Sequence, residues 1–127
     1  MDFATLQRPS SPNSYLVAPE GVCQNSETDA VSPVFPMAPE ALFTKLLGLI
    51  DAEKQWTLGD CDRPAQKLNF VAVSKLMRFK DDVDVEVFPV EPDGARVAIY
   101  SRSRVGYSDL GANRKRVKSL LDDLESS

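Results

Sequence analysis

Asp82-Val83-Asp84-Val85-Glu86-Val87 is a strict alternation of acid and valine. Side chains on a strand point alternately to its two faces, so this run sets three valines on one face and three carboxylates on the other. It predicts a half-buried strand whose valine face must be covered. The residues that follow supply a return. Glu91-Pro92-Asp93-Gly94 reads as a turn, with Pro second and Gly fourth, and Arg96 to Arg104 reads as the partner strand. A slip of one residue would set valines against arginines, so the valines are expected opposite Ile99, Ser101 and Val97 on the buried face. Asp82, Asp84 and Glu86 then lie opposite Arg104, Arg102 and Tyr100 on the other face, give or take a shift of two residues.

Upstream of this hairpin, Leu42, Phe43, Leu46, Leu47, Leu49 and Ile50 recur at spacings of three and four behind Pro39 and Glu40. That pattern predicts a helix over about 39–54 with one apolar face. Trp56-Thr57-Leu58 reads as a short strand ended by Gly59 and Asp60, with a polar loop through Pro64. Lys67 to Lys75 reads as another strand, its inward phase left open by the sequence. Downstream, Val117, Leu120, Leu121 and Leu124 mark a second amphipathic helix within Leu110 to Glu125, for which Ser108 or Asp109 is a plausible cap.

Six of the nine prolines fall in the first 39 residues, and no helical or alternating pattern survives among them. Residues 1–38 therefore read as an extended arm, and the apolar Tyr15, Leu16, Val17, Val31, Val34, Phe35 and Met37 suggest that it lies on the body of the protein. Residues 39–127 follow as a helix, four strands and a helix. With one stripe on each helix and one valine face, the economical arrangement is α+β in two layers: a four-stranded antiparallel sheet carrying both helices on a single face, preceded by the docked arm.

At 127 residues the chain is one domain's worth, and its 43% hydrophobic and 27% charged content is ordinary for a globular protein. It contains no histidine, which removes Ser-His-Asp and Cys-His mechanisms and histidine-containing zinc sites. Two cysteines cannot supply a four-thiolate metal site, and no cofactor is expected. Cys23 and Cys61 would bridge in an oxidising compartment or remain thiols in a reducing one. The net charge of −4 argues against coating nucleic acid or an anionic membrane through the overall field. No apolar run approaches the roughly 20 residues needed to span a bilayer. As written the chain reads as cytoplasmic, or as periplasmic or envelope-associated if a leader or anchor has been removed.

Two readings of the charged hairpin stand side by side. Opposed acids and arginines form a self-neutralising, solvated face when exposed. Yet residues 93–118 hold seven basic side chains against Asp93 and Asp109, and the strand-to-helix stretch Val105-Gly106-Tyr107-Ser108-Asp109 leads to free N–H groups at a helix start. Arginines beside such groups form an anion site with a clear physical cause, although Asp109 competes for the same donors as a cap. Metal binding by Asp81, Asp82, Asp84 and Glu86 is weaker, since alternation sends Asp81 away from Asp82. Ser101, Ser103 and Ser108 have no histidine to activate them, and Gly106 and Gly111 lack the spacing of a phosphate loop.

Arg8-Pro9-Ser10-Ser11-Pro12-Asn13, Phe79-Lys80-Asp81-Asp82-Val83, and the long block from Ser101 through Tyr107 and Asp109 to Asn113-Arg114-Lys115-Arg116 resemble the bacterial and plastid family called domain of unknown function 1499. The resemblance spans nearly the whole chain. It implies a small α+β domain without established activity; a membrane or export segment precedes many members. Some carry a cysteine directly after the Pro-Asn pair, where this chain has Ser14.

The resemblance also implies a location. Its three blocks are the arm, the entrance to the acidic strand and the strand-to-helix turn, which a meander brings to one end. Arg8 and Asn13, Asp81 and Asp82, Arg102 and Arg104, Tyr107, Ser108 and Asp109, and Asn113 and Arg114 are then expected as one polar cluster. Such a cluster either fastens the arm to the sheet or binds a ligand. The functional expectation is a non-enzymatic binding or accessory module recognising a small anionic ligand or a protein partner through the Arg-rich turn. The alternative is an enzyme with Asp81 or Asp82 as general base and Arg102 or Arg104 stabilising an anion.

Overall fold

A computed structural model describes residues 1–9, 13–74, 78–104 and 111–126. The acid–valine run lies in strand β5 (Lys80–Val90), which pairs antiparallel with β6 (Gly94–Ser103). Val83, Val85 and Val87 stand opposite Ser101, Ile99 and Val97, as the alternation requires. Asp82, Asp84 and Glu86 face Arg102, Tyr100 and Ala98, the two-residue shift that the sequence left open. On the other side of β5, β4 (Lys67–Val73) turns Leu68, Phe70 and Ala72 inward, which settles its phase, and β3 (Trp56–Asp62) closes that edge.

β3 runs further than expected. Gly59 and Asp60 do not end it because a register irregularity between Leu58 and Cys61 absorbs them, and Asn69 Oδ1 accepts from the Asp60 N–H at 2.9 Å. A Cβ at Gly59 would collide with that same amide oxygen, so any other residue there would push the Asn69 side chain off this bond.

Helix α1 (Pro39–Ala52) buries Leu42, Phe43, Leu46 and Ile50, and helix α2 (Ala112–Glu125) buries Val117, Leu120 and Leu124. Both stripes meet the valine face, where they form the larger core with Leu68, Phe70, Val85 and Ile99. The α+β class thus holds, but the sheet differs from the expected one. Among the described residues it has six strands, in the order β2-β1-β6-β5-β4-β3, and it is mixed.

The two additional strands come from the Pro-rich segment. β1 (Ser14–Ala18) pairs antiparallel with β6, and the two-residue β2 (Ala30–Val31) pairs parallel with β1. Beyond β1, the Phe35 N–H and carbonyl both bond Ala95, and the Val97 N–H donates to Ser32 Oγ. The body therefore needs this segment to complete its sheet, so the edge expected at β6 is internal. Within this segment Leu16, Val17 and Phe35 are buried, whereas Val31 and Val34 are exposed.

A second, smaller core lies on the opposite face of the sheet, where Phe3 covers Leu16, Ala18, Ala98 and Tyr100. Cys23 packs at its rim, where burial pushes the thiol above its ordinary pKa, and Cys61 is exposed on β3; both are free thiols.

Candidate functional site

Asp81 and Asp82 are neighbours in sequence and strangers in space. Alternation along β5 puts Asp81 in line with the valines, under α2, and turns Asp82 to the opposite face. Each recruits its own arginine, and two separate polar systems result.

Under α2, Asp81 is 6% exposed and its Oδ2 lies 2.9 Å from Arg116 Nη2. Arg116 Nη1 also donates to Ser101 Oγ at 3.0 Å and to Asn113 Oδ1 at 2.9 Å. The Ser101 hydroxyl donates to the same Asn113 oxygen at 2.6 Å. Asn113 Nδ2 then donates to the Asn13 carbonyl at 2.9 Å and to Ser103 Oγ at 3.0 Å, and the Ser103 N–H donates to that carbonyl as well. A buried ion pair is tolerated only when its remaining donors and acceptors are satisfied, and here side chains of β5, β6 and α2 and the backbone before β1 satisfy them. The network ties all four together.

Across the sheet, Arg104 grips Asp82 through two parallel bonds, Nε to Oδ2 and Nη2 to Oδ1, each 2.9 Å. That grip holds the Asp82 carboxyl below its ordinary pKa, Arg104's hydrogen bond being the largest cause. Arg102 Nη1 donates to Asp84 Oδ2 at 2.6 Å, and its guanidinium lies 4.8 Å from the Tyr100 ring centre. Arg8 approaches the same ring at 5.8 Å while holding Asp29 at 3.0 Å and Ser14 Oγ at 2.8 Å. Glu86, further along this face, is pushed above its ordinary pKa, chiefly by desolvation.

The expected single cluster is thus two. Asn13, Asp81 and Asn113 meet beneath α2; Arg8, Asp82, Arg102 and Arg104 lie on the opposite face. Arg114 joins neither: it is exposed and has no partner among the described residues. Tyr107, Ser108 and Asp109 lie outside the described residues. The N-cap of α2 is Gly111, at φ 82°, in place of the expected Ser108 or Asp109.

Arg116 and Ser101 were not among the expected site residues, yet they complete the buried network. The signal was present: Arg116 follows Asn113 by three, on the helical face that continues through Val117 and Leu120, and Ser101 is the one hydroxyl in the row facing the valines. A groove of about 340 Å³ opens beside Arg116, lined on its other flank by Glu53 and Trp56. Among the described residues, no three cysteine, aspartate or glutamate side chains are grouped to hold a metal ion.

Among solved structures, the chain is similar to the di-domain ARO/CYC protein BexL of the BE-7585A biosynthetic pathway, at a TM-score of 0.55 and 12% identity over 74% of this chain. The match covers 43% of BexL, so the chain spans less than half of that protein's length, and the likeness is one of fold. TTHA0849 from Thermus thermophilus aligns over 75% of this chain and 87% of its own, at 15% identity and a TM-score of 0.34. No curated protein matches. Arg8 and Asn13, the entrance to β5 and the start of α2, which the two polar systems occupy, all fall within residues 6–124, the span matched by the family model described as "Protein of unknown function (DUF1499)", and the chain belongs to that family.

Proposed function

We propose that the protein is a non-enzymatic binding module that recognises an anionic group at the end of the sheet where β6 leads to α2, with Arg104 and Arg114 as its cationic contacts. The observation that carries this reading is the charge balance at the start of α2. The first turn of the helix has no acidic residue, and Arg114, Lys115 and Arg116 follow one another there. Cations beside the positive end of a helix dipole are unfavourable for the helix alone, and an anion relieves them. Of these three, only Arg116 has a carboxylate partner among the described residues, Asp81.

An enzyme using Asp81 or Asp82 as base fits less well. Asp82 is held below its usual range by Arg104, which makes it a poor proton acceptor near neutrality. Asp81 is sealed behind Arg116, with 9% of its side chain exposed.

Titration with inorganic phosphate, followed by amide NMR, tests the proposal. Shifts at Arg104 and over residues 111–116 that fade as salt rises, and that Arg114→Ala removes, are the expected result. Arg104→Lys keeps the charge but loses the planar fork, and should weaken the response without unfolding the chain. Absence of any response at millimolar phosphate would overturn it.

A further inference from the structure

The same end of the sheet carries a second basic element on a different loop. Arg78, Phe79 and Lys80 enter β5 fully on the outside, and the Phe79 side chain is 46% exposed. The backbone holds this tip in place: Arg78 donates its N–H to the Ser74 carbonyl at 3.1 Å, the Phe79 N–H donates to Ser74 Oγ at 3.0 Å, and the Phe79 carbonyl accepts from the Ser74 N–H at 2.9 Å. Lys80 is joined to the end of β6 by its carbonyl, which accepts from the Arg104 N–H at 3.2 Å. Asp81, the next residue, reaches Arg116, so the first turns of α2, with exposed Arg114 and Lys115, stand over the same end. Among the described residues, none of Arg78, Lys80, Arg114 and Lys115 has a carboxylate partner.

We infer that this end docks on an anionic lipid bilayer, with Phe79 entering the interface between headgroups and Arg78, Lys80, Arg114 and Lys115 contacting them. This deepens the anion-binding reading and rests on it. Charge distribution selects a bilayer over a wrapping polyanion. The chain totals −4 while four such cations gather at one end, so the remainder carries twice that negative charge. β5 has 11 residues, roughly 35 Å at about 3.3 Å each, and Glu91 and Asp93 lie beyond its far end. That separation is several times the screening length of about 8 Å at physiological salt. A flat anionic surface touched by the basic end alone leaves these far-end acids out of range, whereas a polyanion following the protein surface would meet them. An aromatic ring flanked by cations suits the water–lipid boundary, where the ring leaves water and the charges stay among headgroups.

Sedimentation with vesicles of equimolar phosphatidylcholine and phosphatidylglycerol, against vesicles of phosphatidylcholine alone, tests this on the unmodified protein. Binding to the anionic vesicles should be at least about tenfold tighter and should decline with salt. Arg78→Glu with Lys80→Glu should abolish it, and Phe79→Ala, which keeps every charge, should weaken it several-fold. All three residues are exposed, and the wild-type salt and lipid comparisons hold without any variant. Equal binding to both vesicles, or binding indifferent to Phe79→Ala, would overturn bilayer docking. Retention on poly-glutamate without vesicle binding would overturn it in favour of an acidic protein partner. A phosphate response at Arg104 and residues 111–116 without vesicle binding overturns the bilayer alone; loss of both overturns the anion-binding reading with it.

Discussion

The two faces of β5 solve one chemical problem in two ways. Each pairs aspartates with arginines, yet Asp81 and Arg116 are nearly excluded from water, while Asp82 and Arg104 are one-third and one-half exposed. In water the gain from pairing is small because both ions are already well solvated. Under α2 the ions have lost that solvent, so the pair is held to its geometry by the cost of leaving either member alone. The buried face thus gains uniqueness of structure, and the open face keeps charges that can exchange partners.

Arg116→Ala should produce the largest effect, about 3–5 kcal/mol of lost stability, because it strands Asp81 in a dry site. A urea midpoint nearly unchanged from wild type would remove the distinction between the faces. Replacing both members together, Asp81→Leu with Arg116→Met, should recover most of the loss, since no orphan charge remains and Ser101 still reaches Asn113. Asn113→Ala comes next, at about 1–3 kcal/mol, and hydrogen exchange should quicken at Ser103, whose carbonyl partner Asn13 loses its second donor.

Across the sheet the numbers fall. Asp84→Ala should cost about 1 kcal/mol, since Asp84 is half-buried and shares Arg102 with the Tyr100 ring. Asp82→Asn should cost less than about 1 kcal/mol at neutral pH. Because its pKa is depressed in the folded state, that contribution is present above the ordinary carboxylate value and lost as pH falls through the folded one, so variant and wild type should converge in acid. Glu86→Gln should behave oppositely. A raised folded pKa means the ionised side chain is penalised above it, so the variant is the more stable at neutrality and loses its advantage in acid. Urea midpoints measured from neutral pH down to about pH 3 would show both signs.

What the sequence reveals follows from where periodicity operates. β5 has one buried face, so its alternation yields strand, register and covering layer together. β1 is buried on both faces, with Leu16, Val17 and Ala18 all inaccessible, and such a strand shows no alternation at all. Nearby prolines complete its disguise as an extended arm, and the sheet is undercounted by two strands. The polar residues suffer the converse loss. Sequence blocks gather Asp81 with Asp82, and Arg114 with Arg116, although strand and helix geometry send the members of each pair apart. Their partition becomes legible only when the periods already used for the core are applied to the charged positions too.

The hydrogen bond from Asn113 to the Asn13 carbonyl joins residues 100 positions apart, and β1 lies between β6 and β2 in the sheet. On a translating ribosome this has a cost in time. At roughly 5–20 residues per second, β1 is made several seconds before its central neighbour exists, and α2 is made later still. Leu16 and Val17 therefore wait uncovered, an apolar segment of the kind that holdase chaperones engage. A nascent chain stalled before α2 would lack both the helix and the Asn113 bond that latches the backbone just before β1.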